Sequence, residues 1–103
     1  MRLPELLRLT RAQGITVEVA DLGECGAHEL RSEYDPAEGA VRINARSISK
    51  IAPALVSDFI AFAIAHELYH HCEHRGEIVR LGERGARERA ADEFARALLS
   101  EGA

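Results

Sequence analysis

An α+β fold is predicted by three features of the 103-residue chain: short alternating segments confined to its first half, a long helical stripe after Pro53, and a second helical stripe at its end. Hydrophobic residues make up 47% and charged residues 29% of the sequence, a globular composition rather than the low-hydrophobicity, high-charge signature of disorder. The length suits one domain, residues 1 to 103, so any functional site has to be built from a single small core.

Leu3, Leu6, Leu7 and Thr10 recur at helical spacing and Gly14 follows, which predicts a short amphipathic helix over residues 3 to 13 with a glycine stop. Ile15, Val17 and Val19 then alternate with Thr16 and Glu18 as in a half-buried strand, ended by Asp21 and Gly23. Residues 28 to 34 and 40 to 46 flank Asp35-Pro36-Ala37-Glu38-Gly39, where proline early and glycine late suit a reversal between two strands. This hairpin and the preceding strand make a small three-stranded sheet. Val41 and Ile43 are expected to face the core while Arg42 and Asn44 face solvent, a pattern compatible with a sheet edge.

Beyond Pro53 a long helix is expected, with Phe59, Phe62, Ala63, His66 and His70 on one stripe that begins apolar and ends in imidazoles. Gly76, Gly82 and Gly85 punctuate a connection, and from Ala86 onward Glu88, Ala91, Asp92, Ala95 and Leu99 form the stripe of a final helix. The predicted element order is α-β-β-β-α-α.

Thirteen basic residues against seventeen acidic ones give a formal charge of −4, with Lys50 the single lysine, which argues against a general nucleic-acid or membrane-surface binder. The longest charge-free runs, residues 51 to 57 and 59 to 65, fall far short of the roughly 20 apolar residues that span a bilayer. Glu5 comes too early for a signal peptide, so a soluble, cytoplasmic chain is expected. Two cysteines, Cys25 and Cys72, are too few for a disulfide-stapled scaffold and read as free thiols.

The informative segment is His66-Glu67-Leu68-Tyr69-His70, an HExxH pentapeptide inside the strongest helical pattern of the chain. Histidines four apart project from one helix face, so their imidazoles can converge on one metal ion, while Glu67, offset by roughly 100°, reaches the side where water binds. Hydrolytic zinc sites need a third protein ligand. Glu88 and Asp92 stand four apart on the inward stripe of the last helix, where two carboxylates are costly without a positive partner. A metal held by His66 and His70 would supply that charge, with Glu88 as ligand and Asp92 accepting the free ring N–H of a ligating histidine, His66 being favoured. The blander alternative for Glu88 and Asp92 is a charged helix face paired with Arg84, Arg87 and Arg89.

HExxH followed by ExxxD resembles the gluzincin zinc metallopeptidases. The resemblance implies His66, His70 and Glu88 as ligands of one Zn2+ ion, Glu67 as the catalytic general base and Asp92 as the partner of a ligating histidine. The flanks Phe62-Ala63-Ile64-Ala65 and Phe94-Ala95 with Leu98-Leu99 resemble ImmA/IrrE-type cytoplasmic metallopeptidases, and the small size resembles the minimal single-domain minigluzincins. Residues 62 to 99 carry the match; the first sixty agree only in element order. Tyr69 stands where the ImmA/IrrE type usually has glycine, which puts a bulky ring where it would crowd or line the site, and Asp92 stands where that type usually has asparagine, which moves the match toward the wider gluzincins and the minimal ones.

The resemblance further implies a peptide or protein substrate added along an edge strand before the metal-bearing helix, residues 40 to 46 being the expected strand. Larger gluzincins supply an oxyanion donor from a second subdomain; here His28, Tyr34 and Tyr69 are the candidates, and weak or latent activity is expected. Cys25 as a latency ligand, a second metal site at His71, Cys72 and His74, and a fold-back of residues 100 to 103 are minor readings. The alternative from a different class is a zinc-stabilised, non-catalytic binding or regulatory module.

Overall fold

The computed structural model describes residues 1–23 and 30–100. Helix α1 spans Leu3–Ala12; Pro4 lies in its first turn and the Glu5 carboxylate accepts from the Arg2 backbone N–H at 3.4 Å. Leu6 and Thr10 are its fully buried residues, and Gly14 at φ 74° turns the chain into strand β1, Thr16–Ala20. Strands β2, Ser32–Asp35, and β3, Ala40–Asn44, form the expected hairpin. Its turn is held by the Asp35 carboxylate, which accepts from the N–H groups of Ala37 and Glu38 at 3.0 and 3.2 Å.

The sheet order is β1-β3-β2, with β1 parallel and β2 antiparallel to β3. Strand β3 is therefore central, which corrects the expectation that residues 40 to 46 form an edge; the strand also stops at Asn44. Its core face carries Val41 and Ile43, both fully buried, while Arg42 on the other face meets Glu18 of β1 at 2.6 Å and Glu33 of β2 at 3.5 Å. One guanidinium thus bridges acids on both neighbouring strands. Val19 pairs with Ile43 yet is 54% exposed, because it lies on an edge strand.

Asn44 does not face solvent, as alternation had suggested, but is completely buried. Its side-chain oxygen accepts from Leu22 and Arg46 N–H groups, the second being the N-cap bond of α2, Ala45–Ser49. Its amide donates to the carbonyls of Gly23 and Leu30 at 3.1 and 2.6 Å. One side chain satisfies four backbone groups and starts a short helix that hydrophobic periodicity did not reveal.

A 3-10 turn at Pro53–Leu55 leads into helix α3, Val56–His74. Alanines favour the helix and Ala61, Ala63, Ile64, Ala65 and Leu68 are buried around most of its girth, because it packs against the sheet, α1 and helix α4, Arg84–Ser100. Gly76 at φ 78° closes α3: its N–H bonds to the Glu73 carbonyl and the Glu77 N–H to the Cys72 carbonyl, a Schellman pair. Helix α4 meets α3 through Ala91 and Ala95, both fully buried, so the two axes approach closely. Among the described residues no helix is long and apolar enough to cross a membrane.

Candidate metal centre

Helix α3 presents His66 and His70 one turn apart, their rings 5.2 Å centre to centre. Both face α4, which runs antiparallel and brings Glu88 and Asp92 opposite them. Nε2 of His66 lies 2.9 Å from one Glu88 carboxylate oxygen, and Nε2 of His70 lies 3.3 Å from the other. The remaining ring nitrogens are engaged: His66 Nδ1 with Asp92 at 2.8 Å and His70 Nδ1 with Glu73 at 2.7 Å. Each Nδ1 thus faces a carboxylate of its own, and both Nε2 atoms are turned toward the same carboxylate.

Glu88 and Asp92 therefore face the imidazoles, and among the described residues neither makes an ion pair with an arginine. Glu67 is 4% exposed beside this group; its carboxylate accepts from the Ser32 hydroxyl of β2 at 2.6 Å. Burial pushes the Glu67 pKa above the usual carboxylate range, against the opposing pull of the Ser32 hydrogen bond and of the two histidines. One donor atom each from His66, Glu67 and His70 lies within 4.8 Å of the other two.

Two residues that local spacing had not singled out complete the arrangement. Glu73, 3% exposed at its side chain, accepts from His70 and receives a two-pronged contact from Arg87 of α4, with both bonds 3.1 Å long. The guanidinium, more than the imidazole, holds its carboxyl below the ordinary value. Glu73 was detectable in principle, since it follows His70 at i+3 on the same helix face. Ser32 was not, because nothing local relates it to a residue 35 positions away.

The oxyanion-donor candidates separate. Tyr34 lines the cleft over the site, but its hydroxyl pairs with His71 Nδ1 at 2.8 Å. Tyr69 is 5% exposed and packs edge-on against Phe94 and His70, outside that cleft. His28 and Cys25 lie outside the described residues, as do residues 101–103 of the expected fold-back. His71, Cys72 and His74 do not form a surface run: His71 is buried, with burial lowering its pKa, and His74 is exposed near the Tyr34 ring.

The cleft has a volume of ≈ 820 Å³. Its walls are β2 on one side and α4 on the other, with the Phe59-to-His74 stripe of α3 as floor. Two imidazole nitrogens and one carboxylate face one another here, donor types that a divalent cation can use. The N···O separations of 2.9 and 3.3 Å resemble the ligand-to-ligand edge of about 3.3 Å in a tetrahedron with bonds near 2 Å. No protein family, curated protein or solved structure matches the chain.

Proposed function

We propose that the chain is a zinc-dependent metallopeptidase of gluzincin type, hydrolysing peptide bonds at the His66, His70 and Glu88 site. The observation that carries this reading is the orientation of the two imidazoles: each gives its Nδ1 to a carboxylate and turns its Nε2 to Glu88. His66, His70 and Glu88 would hold the ion, and Asp92 would fix the His66 tautomer. The chemistry that a zinc ion would supply there, when bound, is Lewis acidity.

The protein's own contribution is to hold and move protons. Glu67, beside the ligands but bound to Ser32, is suited to take a proton from attacking water and pass it to the departing amine. Burial makes its carboxylate a stronger base than an exposed one. With β3 central, the strand open to an added peptide is β2, whose free edge borders the cleft. The α3–α4 alanine packing keeps the ligands in register from two rigid elements.

A second reading, a zinc-stabilised module without turnover, draws on one observation: Glu67 is nearly inaccessible and already hydrogen-bonded. One experiment separates the two. Wild-type protein is expected to carry about one zinc per chain by elemental analysis, Glu88→Ala to lose most of it, and Glu67→Gln to retain it while losing cleavage of unstructured peptides. Zinc retention with equal turnover by Glu67→Gln would remove the general-base assignment. Zinc without cleavage by wild type would favour the module, and absence of zinc would sink both.

A further inference from the structure

The cleft has a direction that the metal site alone does not reveal. Strand β2 runs alongside α3 in the same sense: Ser32 meets Glu67, and Tyr34 meets His71 and lies near His74. Helix α4 runs the opposite way, with Asp92 at His66, Glu88 between His66 and His70, and Arg87 at Glu73. These contacts assign the lining residues to two ends. Toward the start of α3 lie Leu30, Phe59 and Phe62; toward its end lie His74, Arg80 and Arg84.

The charges at the two ends are not equivalent. Every carboxylate on the cleft wall has a partner: Glu33 pairs with Arg42, Glu67 with Ser32, Glu73 with Arg87, and Glu88 and Asp92 with the imidazoles. Arg87 is likewise consumed by Glu73. Arg80 and Arg84 are exposed, line the cleft, and have no ion-pair partner among the described residues. Arg31 is a third such arginine, but it stands beside Leu30 at the apolar end. In a chain with a formal charge of −4, the far end of the cleft is thus locally cationic.

We infer that the cleft selects an extended peptide segment bearing an apolar residue on one side of the metal site and an acidic residue on the other, the acidic side chain being received by Arg80 and Arg84. The inference rests on the site being a peptide-binding one, as proposed above. Arg84 precedes Glu88 by one helical turn, about 6 Å along the axis, which an extended peptide covers in about two residues. The acidic residue therefore belongs two to three positions from the bond held over the metal site. Guanidinium groups suit this task because they meet a carboxylate with two parallel hydrogen bonds, and Arg80 and Arg84 have none to break first.

The test measures binding apart from turnover. Zinc-loaded Glu67→Gln protein is titrated into fluorescently labelled eight-residue peptides with Phe and Glu three positions apart, in both orders, and into versions with Gln or Lys in place of Glu. In one order the Glu peptide is expected to bind about five- to tenfold tighter than the Gln peptide and the Lys peptide weaker still, with the margin shrinking as salt rises. Arg80→Glu with Arg84→Glu, both at exposed positions, is expected to reverse the order so that the Lys peptide binds best. Equal affinity for the Glu and Gln peptides, no binding of any peptide, or an unchanged preference in the reversed variant would each overturn the inference. If the preference holds but zinc-loaded wild type cleaves none of these peptides, the peptidase reading fails and the recognition stands.

Discussion

Glu73 shows how much of the candidate site lies outside its proposed ligands. Its carboxylate touches His70 Nδ1 and both prongs of Arg87, so it orients the His70 ring and at the same time ties α3 to α4. Removing such a partner typically lowers metal affinity 10- to 100-fold without touching the ligands. Glu73→Ala is expected to weaken zinc binding by about that factor in competition against a fluorescent chelator. Glu73→Gln, which keeps an acceptor for the imidazole N–H, is expected to recover most of the loss. If both variants lose thermal stability but bind zinc as wild type does, Glu73 is a helix tether only. Asn44 makes the complementary point for the fold: an apparently solvent-facing polar residue is the most connected buried side chain of the sheet, and alternation alone assigns it to the wrong environment.

At the level of elements, the alanines between α3 and α4 govern how closely Glu88 approaches the two histidines. Ala91 and Ala95 are fully buried on α4, so small side chains let it approach α3 closely, beside the Tyr69–Phe94 ring pair that the two helices also share. Ala95→Leu should overpack the seam, costing about 1 to 3 kcal/mol. Because the same seam sets the distance from Glu88 to the two histidines, zinc affinity should fall along with the denaturation midpoint. A variant with lowered stability and unaltered affinity would show that the site tolerates helix separation. The two long helices and the faces they turn to each other were legible in the sequence because helical spacing is local: His66 and His70, or Glu88 and Asp92, share a face by arithmetic alone. Strand order was not legible. Which strand lies in the middle depends on a parallel pairing of β1 with β3 across the intervening hairpin strand, and no local pattern in Val17, Val41 or Tyr34 encodes it. Nor do the bonds from Ser32 to Glu67 and from Tyr34 to His71 leave any trace in spacing.

For the whole molecule, the proposed metal site would couple ion binding to folding through α4. The helix packs chiefly on α3, and its polar tie to that partner consists of Glu88, Asp92 and Arg87. A ligand that binds only the folded state at one hundred times its dissociation constant adds about 2.7 kcal/mol. In a domain of this size that corresponds to a rise in Tm of about 10 to 20 °C. Zinc addition should raise Tm by that order and a chelator should reverse it, as followed by circular dichroism. Indifference of Tm to both would mean that α4 is held without the ion and that His66, His70 and Glu88 do not bind it tightly. Small domains bury a modest fraction of their surface, so a contribution of this size is a large part of their net stability.

The free edge of β2 carries a further consequence, for solubility. Unpaired backbone groups that can receive a guest peptide can also receive the same strand of another copy, which is how exposed edges seed aggregates. This edge is only four residues long, carries Glu33 and Asp35, and is followed at once by Pro36, which has no N–H to offer a partner. Two copies aligned edge to edge would bring like charges together over a ladder too short to compensate. On the proposed reading, the strand would receive a single extended chain while discouraging its own kind.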